Sequence, residues 1–378
     1  MGKKLVLSIL VFFLILNSSV LSALALTEEE ISAQAAVLMD RSSRRILFAK
    51  NHEERLPMAS TTKIMTGLLA IERGDLKSRV VVSERAAGVE GSSIWLEEGE
   101  VKTLEELVFG LMLRSGNDAG AVIAEHLAGS VEGFSVMMTD KAREIGAFNT
   151  TFRNPHGLHD EEHFTTSYDL GLITCSALDL PEFREIIKTR EKRITWPGHQ
   201  WDRFLRNQNK LLEMYQGADG VKTGWTTPAG RCFVGSATRD SWQLVAVVLN
   251  APDMWQDTIT LLDYGFENWK LQSLIKKDQF IKTREVAGGT RDKVKLVAAR
   301  EFAYPLEVGE EELLEYRIEV GKPLKAPLKK GDILGEVTIL LAEEELERIA
   351  LLAGESVERK SILLFLKKYL TNWFHYLF

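Results

Sequence analysis

The sequence predicts an α/β domain in which helices flank an antiparallel sheet, followed by a small all-β domain and a C-terminal amphipathic helix. Three observations lead there. Hairpin patterns bracket a run of helical segments in the first two-thirds of the chain. Near Ser273 the pattern changes to short alternating runs separated by Gly- and Pro-bearing turns. The final segment places its apolar side chains on one helical stripe. With 378 residues, 45% of them apolar, the chain can build two packed cores, which excludes a disordered class. A net charge of −7 and no Lys/Arg-rich tract in mid-chain argue against nucleic acid as a partner.

The elements follow in order. Lys3 and Lys4, the apolar run Leu5 to Leu16 and the small-x-small site Ala23-Leu24-Ala25 read as a secretory signal peptide, residues 1–25. The run is too short for a membrane-spanning anchor. Losing the two lysines takes the formal charge from −7 to −9. Residues 26–272 form the first domain. Ala35 to Met39 and Ile46 to Ala49 flank "DRSSRR", a hairpin pattern. "PMASTTKIMTGLLAIERG" predicts a helix over Met58 to Arg73, opened by a hydroxyl cap. Leu104 to Leu113 and Ala119 to Leu127 are helical segments joined by the polar link "RSGND". "NPHGLHDEEHF" is a loop, and "SYDLGLITCSAL" a helix with Ser167 as N-cap. "CFVGSATRDSWQLVAVVLNA" predicts a buried hairpin turning at "TRDS", and "DTITLLDYGFENW" a closing helix.

Residues 273–354 form the small β domain, with "VKLVA", "EYRIEV" and "EVTILLA" as strands. Propensity favours a helix in "LLAEEELERIALLA". Its surroundings favour a hairpin turning at Glu343 to Glu345. Residues 355–378 place Ile362, Leu366, Tyr369, Leu370, Trp373 and Leu377 on one stripe, with basic residues and no acid from Arg359 onward. That composition fits a helix lying on a membrane surface. Cys175 and Cys232 either pair or are buried small hydrophobes, and the sequence leaves both open.

Chemistry centres on Ser60-Thr61-Thr62-Lys63. At i and i+3 a serine and a lysine share one helix face. A lysine near a helix N-terminus sits against the positive end of the dipole, which favours its neutral form. A neutral amine is the base that an unactivated serine hydroxyl needs. Alone the pair is weak, since the same pattern recurs at Ser273 to Lys276 with no function attached. Two further motifs give it weight. Ser115-Gly116-Asn117 lies on the link between helical segments, where a hydroxyl and a carboxamide can be held in a cleft. Lys222-Thr223-Gly224 precedes a strand whose edge could dock an extended peptide, with Gly224 allowing a ligand close to the backbone. His156, His159 and His163 cluster with acids, but in a loop and without H-E-x-x-H spacing, so no metal and no cofactor are expected.

S-x-x-K, S-x-N and K-T-G in that order resemble the serine penicillin-recognising enzymes. The surrounding stretches "LPMASTTKIMTGLLAIE", "LMLRSGNDAGAVIAEHLAGS", "NPHGLHDEEHFTTSYDLGLI" and "GADGVKTGWTTPAGRCFVGSATR" look like D-alanyl-D-alanine carboxypeptidases of the low-molecular-weight penicillin-binding type, most of all the sporulation-associated members. The resemblance covers nearly the whole chain and implies a catalytic domain of the β-lactamase/transpeptidase-like type. It implies removal of the terminal D-alanine from peptidoglycan stem pentapeptides, inhibition by β-lactam antibiotics, and export to the outer face of the cytoplasmic membrane. Ser60 would be the nucleophile and Lys63 its base, with Ser115 relaying a proton to the leaving amine. Asn117 would bind the substrate amide, and Lys222 and Thr223 the terminal carboxylate. The oxyanion hole would be the N–H groups of Ser60 and Trp225. Convergence of these groups would lower the lysine pKa values. The motifs are shared with β-lactamases, but the extra β domain and terminal helix favour a cell-wall substrate. One departure stands out: Met254 occupies the position where many relatives carry a carboxylate-binding arginine. That gap also leaves room for a non-catalytic binder, and Arg231 is the candidate substitute.

Overall fold

A computed structural model describes residues 26–321 and 323–360. The signal-peptide reading of residues 1–25 and the apolar stripe from Ile362 to Leu377 lie outside the described residues. The chain divides into two compact units between Asn268 and Trp269.

The first unit is built on a five-stranded sheet. Its strands are β1 (Ala35–Asp40), β2 (Ile46–Lys50), β7 (Ala218–Thr226), β8 (Gly230–Arg239) and β9 (Trp242–Leu249). They lie in the order β2-β1-β9-β8-β7, and every pair is antiparallel. Strand β1 is buried along its whole length, so its two faces must both be covered. The covers are α5 (Ser167–Leu178) and α7 (Met254–Asn268). A Cβ built on Gly171 of α5 would lie 3.2 Å from the Met39 side chain. One on Gly265 of α7 would lie 2.7 Å from Leu38, which precedes Met39 on the strand and is therefore on the opposite face. The unit also holds α1 (Lys63–Arg73), α2 (Leu104–Leu113), α3 (Asn117–Ala128), α4 (Val131–Ile145) and α6 (Pro181–Lys188), besides two single-turn helices at Glu84–Ala87 and Leu211–Met214. Two short antiparallel ribbons flank them: β3 (Arg79–Val81) with β4 (Val101–Thr103), and β5 (Glu191–Ile194) with β6 (Arg203–Arg206).

Local signals set most boundaries and correct some expectations. The turn between β8 and β9 is Asp240-Ser241, both at positive φ, as a tight two-residue hairpin requires. Thr103 and Glu106 form a reciprocal capping box at the start of α2. Thr166, not Ser167, caps α5, because its hydroxyl accepts from the Asp169 N–H at 3.0 Å. The helix expected from Met58 begins instead as a 3₁₀ turn, Ala59–Thr62, and becomes α-helical only at Lys63. No hydroxyl caps α1: Thr61 and Thr62 donate backwards to the carbonyls of Met58 and Ala59. Cys175 in α5 and Cys232 in β8 are free, buried thiols, which settles the choice left open by the sequence. Burial pushes them up to about 12 and about 11, so they are inert hydrophobes.

The second unit is all β apart from a 3₁₀ turn at Glu310–Leu313. Strands β10 (Trp269–Ile275) and β13 (Phe302–Glu307) pair with each other. The other strands are β11 (Phe280–Ala287), β12 (Lys293–Ala298), β14 (Leu314–Val320), β15 (Leu324–Lys325), β16 (Ile333–Leu341) and β17 (Glu344–Ala353). They form a sheet in the order β14-β16-β17-β12-β11-β15 around Val294, Leu296, Ile339 and Leu351. The ambiguous "LLAEEELERIALLA" is the β16–β17 hairpin, turning at Ala342-Glu343 rather than at Glu343 to Glu345. Pairing continues past β17, where Val357 bridges Leu328 and Arg359 bridges Gly289. Ser273 lies within β10, an extended strand, so its S-x-x-K lacks the helical spacing.

The chain entering β1 is clasped by the first turn of α7. The Asp257 carboxylate accepts from Ser32 N at 2.9 Å, Ser32 Oγ at 2.8 Å and Ala33 N at 2.9 Å. Removing it strands a buried donor. Asp257→Ala is therefore expected to cost about 2–3 kcal/mol, and Asp257→Asn less. Thermal denaturation followed by circular dichroism reads this as a lowered first midpoint. An unchanged midpoint in Asp257→Ala would show that the clasp contributes nothing.

Candidate active site

Lys63 opens α1 and is fully buried. Its Nζ donates to Ser60 Oγ at 3.0 Å, Asn117 Oδ1 at 2.7 Å and the His156 carbonyl at 2.6 Å. Three segments distant in sequence thus meet on one nitrogen. Two of these partners are oxygens that can only accept, so they hold two N–H groups whatever the protonation state. The third direction points at Ser60, a hydroxyl that can accept or donate. Neutral lysine has its lone pair there. Burial, followed by the positive charge of Lys222, lowers the Lys63 pKa far below its ordinary value, while Asp118 opposes this.

The Ser60 turn is wedged between two glycines. A Cβ on Gly157, at φ 90°, would lie 1.9 Å from the Ala59 carbonyl oxygen. One on Gly224 would lie 2.9 Å from Ser60 N and 3.0 Å from Thr61 N. Gly224 is thus required by the approach of the Ser60 turn to β7, a constraint that the sequence reading did not include. Ala59 itself is held at φ 47°, in the left-handed region that costs a non-glycine residue about 1 kcal/mol or more. Ser115, at φ 62°, is the other residue of the site held there.

The loop 154–163 is tied at three positions to α1 and the turn before it. Thr66 donates to the Pro155 carbonyl at 2.6 Å, Lys63 to the His156 carbonyl, and Thr62 Oγ1 lies 2.8 Å from His163 Nε2. Because Thr62 spends its proton on Ala59 O and His163 Nδ1 accepts from Arg153 N at 3.0 Å, the imidazole must carry its proton on Nε2. Burial lowers His163 to about 4 and His156 to about 3. These histidines are structural ties, and each is used by its own neighbours rather than gathered toward a shared centre.

Asn117 begins α3 two residues earlier than the predicted segment. Its Oδ1 is spent on Lys63 and its Nδ2 donates to the Glu90 carbonyl at 2.7 Å. Asn117 therefore positions the Lys63 amine. Next to it, buried Asp118 accepts from Ser93 Oγ at 2.6 Å, Ile94 N at 3.0 Å and Leu96 N at 3.1 Å. This pins the loop carrying Ser92. Sequence reasoning missed Asp118, although "RSGND" places an acid in the first turn of α3, where its charge is favoured. It also missed the Glu90 and His156 carbonyls, which are backbone groups with no residue signature.

Lys222 lies within edge strand β7, ahead of β8, and is buried to 2% exposure. Burial lowers it to about 7, and its Nζ donates to the Thr223 carbonyl at 2.9 Å. Both lysines shift in the expected direction. Beside them opens a cleft of about 560 Å³, lined among others by Ser60, Ser115, Thr223, Gly224, Trp225 and Arg231. Ser92, Gln208, Lys210 and Met254 line it as well. The arrangement offers a hydroxyl, a dry base, a cation and an open strand edge around one space.

Residues 22–253 match the family model described as D-alanyl-D-alanine carboxypeptidase, and residues 269–359 match the C-terminal domain of penicillin-binding protein 5. The chain is 34% identical to D-alanyl-D-alanine carboxypeptidase DacF of Bacillus subtilis over 90% of each sequence. It is 32% identical to DacC of Escherichia coli over 87% of this chain and 85% of that one. Among solved structures, penicillin-binding protein 5 from Haemophilus influenzae superposes with a TM-score of 0.72 at 30% identity, covering 89% of this chain and all of that one. A Streptococcus pneumoniae protein described as a peptidoglycan synthesis regulatory factor (PBP3) gives 0.74 at 26% identity, covering 87% of this chain and all of that one.

The buried neutral histidines set an acid limit on the fold. Unfolded, each takes a proton near 6.5; folded, His163 resists until about 4. In that window the unfolded chain binds more protons, so stability falls as pH is lowered through it. His163→Gln should flatten the decline in melting temperature between pH 6.5 and 4.5. A decline as steep as in the wild type would place the acid sensitivity elsewhere.

Proposed function

The chain belongs to the D-alanyl-D-alanine carboxypeptidase family of serine peptidases, and we propose that Ser60 is its nucleophile with Lys63 as the base. It is a serine-type D-alanyl-D-alanine carboxypeptidase: it removes the terminal D-alanine of peptidoglycan stem peptides through an acyl-enzyme, and it binds penicillin. The observation that carries the residue assignment is the coordination of Lys63, whose two acceptor-only partners leave Ser60 as the one group able to give it a proton.

Ser60 Oγ attacks the carbonyl carbon of the penultimate D-alanine while its proton passes to Lys63 Nζ. The backbone N–H groups of Ser60 and Trp225 receive the developing oxyanion, an arrangement supported by the close packing of β7 on the Ser60 turn. The C–N bond breaks as Ser115 hands a proton to the leaving amine, and the proton on Lys63 restores Ser115. Water then attacks the ester, gives a proton to Lys63 and releases the shortened peptide as its carboxylate, with Ser60 reprotonated. Lys222 and Thr223 hold the terminal carboxylate. Arg231 supplies the cation that Met254 lacks; it lines the same cleft and is steadied by its bond to the Pro252 carbonyl at 2.8 Å. Asn117 holds Lys63 and presents its remaining amide hydrogen to the substrate. With penicillin the same attack opens the lactam, but the leaving nitrogen stays tethered and blocks the approach of water.

The enzyme acts outside the cytoplasm in this reading, after export on residues 1–25. The C-terminal segment, residues 355–378, holds it peripherally on the outer face of the cytoplasmic membrane. Among the described residues no helix is long and apolar enough to cross a membrane.

Two measurements test the assignment. Wild-type protein should release D-alanine from a D-Ala-D-Ala peptide and retain labelled penicillin covalently, and Ser60→Ala should lose both by at least about a thousandfold. Labelling of Ser60→Ala at the wild-type level would sink the proposal. The pH profile of kcat/KM should be a bell. Its acid limb is protonation of Lys63, and its alkaline limb is loss of the Lys222 charge near 7. Lys222→Arg, which keeps its charge, should remove the alkaline limb alone. An alkaline limb that survives would assign it to another group.

A further inference from the structure

Beside the cleft stands a surface that the carboxypeptidase chemistry does not use. Trp95 is 61% exposed and Trp201 64% exposed, although tryptophan is usually well covered. They are not loose. Arg203, itself buried, donates to the Trp95 carbonyl and lies 4.3 Å from the Trp196 ring centroid. Its guanidinium is fixed in turn by both oxygens of buried Glu100. The Trp196 and His199 rings lie 4.1 Å apart, and Trp201 follows at 6.3 Å from His199. Trp95 is held at φ 57°, a strained backbone that persists only where the surroundings enforce it. The aromatic surface is therefore built on a buried ionic scaffold.

It is also continuous with the cleft. Trp95 shares the Asp118-pinned loop with Ser92, which lines the cleft. Gln208 and Lys210, also on the cleft, follow directly from β6, which carries Arg203. Its polar edge is acidic: Glu97 Oε1 accepts from Trp196 Nε1 at 3.2 Å and His199 Nε2 at 3.0 Å. Glu98 and Asp202 adjoin in sequence. Anionic phospholipid would call for lysines here instead.

We propose that Trp95, Trp196 and Trp201 form a docking platform for the glycan strand that carries the stem peptide. Sugar rings present C–H faces to the indoles and hydroxyl edges to Glu97 and His199. The preferred substrate is then a stem peptide still attached to its polysaccharide, bound along a line that leads from the platform into the cleft. This rests on the D-alanine-releasing reading above and narrows its substrate class.

The test compares the full chain on a free D-Ala-D-Ala pentapeptide and on the same pentapeptide carried by an uncrosslinked glycan fragment of several sugar rings. Wild type should show a higher kcat/KM on the glycan-borne peptide. Trp201→Ala and Trp95→Ala should each lose roughly three- to tenfold on that substrate, mostly in KM, with the free peptide unchanged. Equal wild-type rates on the two substrates, or equal losses on both in the variants, would overturn the platform. So would variants that weaken only binding to anionic phospholipid vesicles. Failure to release D-alanine from either substrate would instead strike at the underlying activity, so the two readings fail separately.

Discussion

The rest of the catalytic unit depends on keeping one amine dry and fully coordinated. Lys63 Nζ satisfies itself on Ser60, Asn117 and the His156 carbonyl, which lie in three segments distant in sequence. A buried amine left unpaired would cost several kcal/mol, so each segment must be held in register with the others. The surrounding contacts do this. Asp118 pins the 93–96 loop, His163 braces Thr62, and the glycines at 157 and 224 let neighbouring backbone close on the Ser60 turn. The left-handed conformations of Ala59 and Ser115 are a cost of that geometry, borne because the neighbours over-determine it.

Placing two lysines in one water-poor space divides their roles. Both cannot be charged cheaply, and the Lys63 pKa is lowered by burial and then by the charge of Lys222. Lys222, depressed only to about 7, keeps a useful fraction of its charge at neutral pH. A carboxylate arriving in the cleft would stabilise that charge further. A neutral base and a cationic anchor can therefore coexist, which the sequence suggested only as a general lowering. The helix-dipole reasoning for Lys63 had the right sign, but the shift comes from burial and then from the charge of Lys222.

Much of this was legible because its signals are local. The β8–β9 hairpin shows as two Val-rich runs around "TRDS", and the β16–β17 hairpin as a strand context overriding helix propensity. Ser60, Lys63, Ser115, Thr223 and Gly224 were found by motif order, and the structure brings them around one cleft or its base. What stayed hidden depends on tertiary packing. Two carbonyls, of Glu90 and His156, complete the coordination of Asn117 and Lys63, and backbone oxygens look alike in any sequence. The cap of α5 shifted by one residue because Thr166 and Ser167 both carry hydroxyls. The approach of the K-T-G glycine to the Ser60 turn, a contact across more than a hundred and fifty residues, left no local signal either.

The buried ions between the two short ribbons follow the same logic as the lysine pair. Glu100 accepts from Arg203 through both oxygens and lies 3.1 Å from Lys102, while Lys102 also reaches Thr195. A buried cluster of this kind adds little net stability over apolar packing, because desolvating each ion offsets most of the attraction. Removing one member, however, leaves the others uncompensated, at about 3–5 kcal/mol. The cluster therefore contributes definition rather than stability. It fixes β4 against β6 and with them the loops that carry Trp95 and Trp196. An apolar core could have joined the ribbons, but it would not have specified the height and tilt of exposed indoles. A surface that must present flat rings to a substrate needs that specification, and a bidentate guanidinium–carboxylate pair provides it through its directional bonds.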